Sequence, residues 1–217
     1  MFEAKLFTDR HDAGKKLGLA LASYKETPSI LIIGLPRGGV VLAYEVARML
    51  GQPLDVICPR KVGAPHNPEL AIAAVTETGQ GYFNTQLIEA FGVSSKYLDD
   101  ECQKQQAVAL KRLALYRKNM PPLDVDGKTI ILVDDGLATG ATMKAAIESI
   151  KQQNAAKIVV AVPVAPSDTA REITQLCDEF ICLAIPREFY AVGQFYEIFD
   201  QTEDDEVIAL LEAIRKS

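Results

Sequence analysis

Five short, nearly unbroken apolar runs constrain the fold of this chain more than any other feature: Ile30 to Ile33, Leu54 to Ile57, Ile130 to Val133, Ile158 to Val162 and Phe180 to Ala184. Runs of this kind, without polar alternation, read as strands buried on both faces, as in a parallel sheet covered by helices. The segments between them carry helical period. Val40, Ala43, Tyr44, Ala47 and Leu50 fall on one face, as do Met143, Ala146, Ile147 and Ile150. Nearer the start, Ala13, Leu17, Ala20 and Leu21 do the same, with Asp9 or Asp12 placed to cap the helix. Strands alternating with helices predict an α/β fold, a parallel β-sheet flanked by helices.

The chain has 217 residues, enough for one domain with a sizeable core, spanning 1–217 and centred on about 28–184. Two segments depart from the alternation. Residues 84–120 read as a helical insertion: a short helix, a break at Gly92-Val93-Ser94, and a long polar helix that ends before Pro121-Pro122. The thin apolar stripe of that helix (Leu98, Cys102, Ala109, Leu113, Tyr116) predicts a surface or partner-facing element. Residues 185–217 gather Phe189, Tyr190, Phe195, Tyr196 and Phe199 and close with a helix, forming a small C-terminal hood.

Composition excludes several classes. A net charge of −6 and a pI near 5.1 argue against a nucleic-acid partner, so a polyanionic ligand needs a local cluster of donors. No apolar stretch approaches the roughly 20 residues of a membrane span. The start, Met1-Phe2-Glu3-Ala4-Lys5, lacks the pattern of a secretory signal. The four scattered cysteines and two distant histidines suggest reduced structural thiols and no zinc site. A cytoplasmic protein is the expectation.

The chemistry concentrates where Ile130 to Val133 runs into Asp134-Asp135 and then Gly136-Leu137-Ala138-Thr139-Gly140-Ala141-Thr142. In an open parallel sheet, ligands bind beyond the carboxyl ends of strands, where this loop falls. Its small residues let backbone approach a phosphate, and the following helix offers free N–H groups and a favourable dipole. Thr139 and Thr142 add hydroxyl donors, while the Walker lysine is missing, which disfavours a nucleoside triphosphate. Carboxylates beside an anion site must face something else, either ribose hydroxyls or a hydrated Mg²⁺. Together these describe a ribose 5-phosphate site. A second turn, Gly34-Leu35-Pro36-Arg37-Gly38-Gly39, has glycines for unusual backbone angles and an arginine able to chelate two phosphate oxygens.

On these residues the chain resembles the type I phosphoribosyltransferases, which bind phosphoribosyl pyrophosphate (PRPP). The resemblance implies that Asp134 and Asp135 hold the ribose hydroxyls and that residues 138–142 cradle the 5′-phosphate, with Gly136 and Leu137 leading in. It implies a pyrophosphate turn at Pro36, Arg37 and Gly38. It also implies basic contacts from Arg60 and Lys61 in the stretch Arg60-Lys61-Val62-Gly63-Ala64-Pro65, which would open a lid over residues 62–69. Such a lid would exclude water from a reactive sugar cation. Mg²⁺ is implied as cofactor, reaching Asp134 and Asp135 through water, with no direct protein ligand identified.

The same resemblance places an acceptor near Phe189 and Tyr190, since Ile185-Pro186-Arg187-Glu188-Phe189 is similar to the base-stacking segment of 6-oxopurine transferases. Two departures leave the acceptor open: Ala138 stands where those enzymes carry an aspartate, and Pro163-Val164-Ala165-Pro166 stands where they place a lysine. The expected activity is transfer of the phosphoribosyl group from PRPP-Mg²⁺ to a nitrogenous acceptor, with release of pyrophosphate through an oxocarbenium-like state. Asp134, Asp135, Arg37 and Lys61 would carry it. The alternative is a PRPP- or nucleotide-binding regulator on the same fold. A homodimer is the default for soluble assemblies.

Overall fold

The computed structural model describes residues 5–118 and 120–216. Met1 to Ala4 of the N-terminal segment, and single positions in the expected insertion and hood, lie outside the described residues. Each of the five apolar runs becomes a strand of one parallel sheet. These are β1 (Ile30–Gly34), β2 (Leu54–Val56), β6 (Thr129–Val133), β7 (Lys157–Val164) and β8 (Glu179–Ala184), in the order β2-β1-β6-β7-β8. Successive side chains point to opposite faces, so each run feeds two cores. Ile30, Ile32, Ile131, Val133, Val159 and Ala161 join one cluster, with α1 (Arg10–Ala20), α2 (Gly38–Leu50) and α7 (Asp204–Arg215). Leu31, Ile33, Ile130, Leu132, Ile158 and Val160 join the other, with α5 (Ala141–Lys151) and α6 (Ser167–Thr174).

The structure corrects two details of the pattern reading. β8 is an edge strand paired only with β7 and is half-buried throughout, so Phe180 to Ala184 is not enclosed on both faces. In α1, Asp9 is the cap, its side chain accepting from the Asp12 amide, but Ala20 is exposed and the inward stripe is Ala13, Gly14, Leu17 and Gly18. Phe7 to Leu21 and Val207 to Leu211 also contribute to the first core cluster, which therefore extends beyond residues 28–184 at both ends.

The expected lid is ordered structure. β3 (Arg60–Ala64), β4 (Asn67–Val75) and β5 (Gly81–Phe83) form a second, antiparallel sheet in the order β3-β4-β5. Its central strand β4 carries an apolar run of its own, Leu70 to Val75, which the sequence reading did not assign to a strand, whereas β3 and β5 offer few apolar positions. α3 (Thr85–Ala90) and α4 (Ser95–Tyr116) follow. The thin stripe of α4 is divided between two surfaces: Leu98 and Cys102 pack on the small sheet, whereas Ala109, Leu113 and Tyr116 enter the main core. The helix thus reaches from the small sheet to α7 and keeps Val108, Leu110 and Leu115 exposed on its outer side. No helix of the described residues is long and apolar enough to cross a membrane.

Candidate functional site

The site grows from the carboxyl ends of β1 and β6. These strands pair in parallel with Gly34 opposite Val133, and the Leu35 amide donates to the Val133 carbonyl at 3.0 Å. Beyond them the chain turns outward on each side, to β2 from β1 and to β7 from β6. This is the switch point at which open α/β sheets form a crevice. The turn after β1 contains a cis Pro36–Arg37 peptide and starts α2 at Gly38. A Cβ on Gly38 would lie 2.0 Å from Asp135 Oδ2, and one on Gly39 would lie 2.9 Å from the Cα of Asp134. Glycine at both positions is what lets the first turn of α2 lie against the acid pair.

The loop after β6 is held from several sides. Asp134 Oδ1 accepts from the Asp135 amide at 2.9 Å. Tyr196 donates its hydroxyl to the Asp135 carbonyl at 2.6 Å. The Leu137 amide donates to the Val164 carbonyl, and Thr169 Oγ1 donates to the Ala138 carbonyl at 2.7 Å. Gly140, left-handed with φ 69°, then turns the chain into α5. The Lys144 amide makes an i→i−4 bond to Gly140, so the amides of Ala141 to Met143 precede the helix ladder and are available to an anion. Lys61, Asp134, residues Gly136 to Thr142 and Val192 enclose a cleft of about 190 Å³.

The acid pair is electrostatically loaded. Burial pushes Asp134 well above the usual carboxylate range, and the neighbouring Asp135 adds to that shift. Burial also raises Asp135, while the Arg10 guanidinium opposes it. Arg10 Nε meets Asp135 Oδ2 at 2.8 Å, and Arg10 also donates to the Asp200 carbonyl and stacks 3.9 Å over the Phe199 ring. Sequence reading missed this arginine. It lies 125 residues from its partner, in a first helical turn that reads only as a capping region.

The other expected residues are distributed unevenly. Lys61 reaches the cleft, but alternation along β3 sends Arg60 the other way, where its Nε meets Gln105 Oε1 of α4 at 3.4 Å. Arg37 points towards the start of α7, with its Nη1 3.3 Å from Glu203 and 3.9 Å from Asp204. Glu203 is 65% exposed, so this pairing contributes only about 0–1 kcal/mol. Phe189 packs on Phe195 with centroids 5.4 Å apart, and Tyr190 is 84% exposed. Neither lines the cleft; the C-terminal segment reaches it through Val192. Among the described residues no group of three or more histidine, cysteine or carboxylate side chains converges as a metal cage. The donor set fits a Mg²⁺ carried mainly by ligand oxygens and water, with Asp134 and Asp135 as its carboxylates.

A parallel sheet covered on both faces, with a small-residue loop and an acid pair at its switch point, defines the class. The model of the phosphoribosyl transferase domain family matches residues 15–197, and the chain belongs to that family. Its parallel sheet flanked by helices is the type I fold implied by the motifs. A Mycobacterium tuberculosis protein provisionally assigned as a phosphoribosyl transferase is 41% identical over 208 residues, covering 96% of this chain and 47% of that protein. The chain thus spans about half the length of the curated relatives it matches. The crystal structure of TT1426 from Thermus thermophilus is 41% identical with a TM-score of 0.81, covering 94% of this chain and 97% of that one. The bifunctional protein PyrR 1 of Lactiplantibacillus plantarum is 35% identical over 74 residues, 30% of this chain and 41% of that protein.

Proposed function

We propose that this chain binds PRPP and transfers its phosphoribosyl group to a nitrogenous acceptor. In this reading the 5′-phosphate sits on the loop Ala138 to Thr142 and the first turn of α5. The ribose hydroxyls face Asp134 and Asp135, and the pyrophosphate extends towards Lys61 and Arg37. The bond from the anomeric carbon to the pyrophosphate oxygen breaks, and a bond from that carbon to the acceptor nitrogen forms. Pyrophosphate leaves with the electron pair, and the acceptor loses its proton to solvent. Lys61 and Arg37 would stabilise the charge developing on the leaving group. The acid pair would hold the sugar so that acceptor and leaving group stand on opposite sides of the anomeric carbon. A Mg²⁺ entering with the substrate would neutralise part of the pyrophosphate charge.

One observation carries this reading. Residues from three separate stretches of chain (Lys61, Asp134 with its loop, and Val192) meet around one cleft, and that cleft brings a small-residue loop leading into a helix N-terminus together with a carboxylate and a lysine. The acid pair with raised proton affinity suits an interior that expects hydroxyl donors or a cation rather than bulk water.

The test is pyrophosphate release from PRPP and Mg²⁺ across a panel of purines, pyrimidines and small amines, with Asp134→Asn/Asp135→Asn as control. Release with one acceptor, abolished in the variant, is the expected outcome. Calorimetric PRPP binding without release would instead mark a ligand-sensing protein on the same fold. Absence of PRPP binding would overturn the reading.

A further inference from the structure

The two aspartates after β6 have different surroundings. Asp134 lines the cleft with Lys61 and the small-residue loop, and Asp135 does not. The Asp135 carboxylate lies instead against the first residues of α1 and α2. Its Oδ2 meets Arg10 Nε at 2.8 Å, and a Cβ on Gly38 would fall 2.0 Å from that oxygen and 2.7 Å from Arg10 Nε. The start of α2 thus rests directly on the ion pair, and only glycine there leaves room for it.

Arg10 is held from the hood. Its Nη1 donates to the Asp200 carbonyl at 2.6 Å, and its guanidinium lies 3.9 Å from the centroid of the Phe199 ring. The segment before it is fastened to the same place. The Leu6 and Phe7 amides donate to the Phe195 carbonyl, and the Glu197 and Ile198 amides donate to the Phe7 and Thr8 carbonyls. Tyr196, within that stretch of the hood, donates its hydroxyl to the Asp135 carbonyl. Asp135 is therefore gripped at its backbone and at its side chain by one layer, made of the N-terminal segment and the hood.

Two carboxylates beside an anion site repel the anion twice over. Arg10 does not line the cleft, so it cancels one of these charges without offering its own to the ligand. We propose that Arg10 is a positioning residue of the site: it draws Asp135 into the joint between α1, α2 and the hood and masks its charge, which leaves Asp134 as the carboxylate that meets the ribose. In place of two equivalent acids, one serves the ligand and the other serves the fold. This rests on the PRPP reading for the ribose, though not for the effect of the masked charge on a bound anion.

The experiment is calorimetry of inorganic phosphate and of ribose 5-phosphate at pH 8 in magnesium-free buffer. It compares wild type with Arg10→Met, Arg10→Lys, Arg10→Met/Asp135→Asn and Asp134→Asn. One charge acting across roughly 10 Å at an effective dielectric constant of about 20 changes affinity about tenfold or more. Arg10→Met should therefore bind both ligands more weakly by that same factor. Arg10→Lys should recover part of the loss, and the double variant most of it, because it removes the unmasked charge along with the arginine. Asp134→Asn should instead weaken ribose 5-phosphate relative to inorganic phosphate, a change of selectivity that Arg10→Met does not make. A role in packing alone would leave the double variant as weak as Arg10→Met, since neither restores the Phe199 and Asp200 contacts. That result, or wild-type affinity in Arg10→Met, would overturn the proposal. If Arg10→Met does not fold, the double variant decides: a selective loss of ribose 5-phosphate there would put Asp135 on the ribose and overturn the proposal as well. Wild type that binds phosphate but not ribose 5-phosphate would count against the PRPP reading alone, with the phosphate series still deciding the role of Arg10. Wild type that binds neither would overturn both.

Discussion

Replacing Arg10 by methionine separates electrostatics from packing at the acid pair. The Arg10 and Asp135 side chains are only 13% and 17% exposed, so neither is well served by water. Methionine keeps much of the apolar stem and removes the charge, the donation to Asp200 and the stacking over Phe199. Breaking one side of a buried pair costs about 3–5 kcal/mol, and the residual exposure here places the expectation near 3 kcal/mol. In a chain of this size that corresponds to a fall in Tm of roughly 6–12 °C. The loss has a definite pH dependence. Burial already raises the Asp135 pKa and Arg10 opposes that rise, so the variant must hold it higher still. A carboxyl whose folded-state pKa lies above its unfolded value binds more protons when folded, so the variant recovers stability as pH falls through that raised value. The deficit should therefore be full near pH 8 and smaller near pH 5. Urea unfolding at both pH values in magnesium-free buffer measures it, with Arg10→Met/Asp135→Asn as the rescue. A deficit equal at the two pH values, or a double variant no more stable than Arg10→Met, would refute the reasoning.

Two further perturbations test the loop. Gly140→Ala must accept a positive φ of 69° and place a Cβ 2.9 Å from Thr169 Cγ2. It should cost about 1–2 kcal/mol and weaken ribose 5-phosphate binding; a variant that melts and binds like wild type would mean the loop does not need this conformation. Thr169→Val deletes the donation to the Ala138 carbonyl and should cost about 1 kcal/mol in urea unfolding, with a few-fold loss of ribose 5-phosphate affinity. An unchanged affinity would show that α6 does not steady the phosphate loop.

The main sheet was legible in the sequence because strands enclosed by helices must be apolar on both faces, and an uninterrupted run such as Ile130 to Val133 has few other uses. The strand–loop–helix around the acid pair was legible for a similar reason: strand, acid pair, small residues and helix are contiguous, so local pattern and local geometry coincide. The second sheet was missed although its central strand carries a signal, the unbroken apolar run Leu70 to Val75. Its partners β3 and β5 offer few apolar side chains, and the hairpin turn at Pro65-His66 reads as a loop.

Contiguous signals were therefore readable without coordinates: five apolar strands, the small-residue loop after β6, one glycine-rich turn and the family to which they belong. Which distant charges meet was settled only by the folded path of the chain. Arg10 pairs with Asp135, Arg37 with Glu203, and adjacent Arg60 and Lys61 part company to opposite sides of β3. A hydrophobic pattern is written in neighbours three or four residues away. An ion pair across 125 residues is created by tertiary packing, and no local period records it.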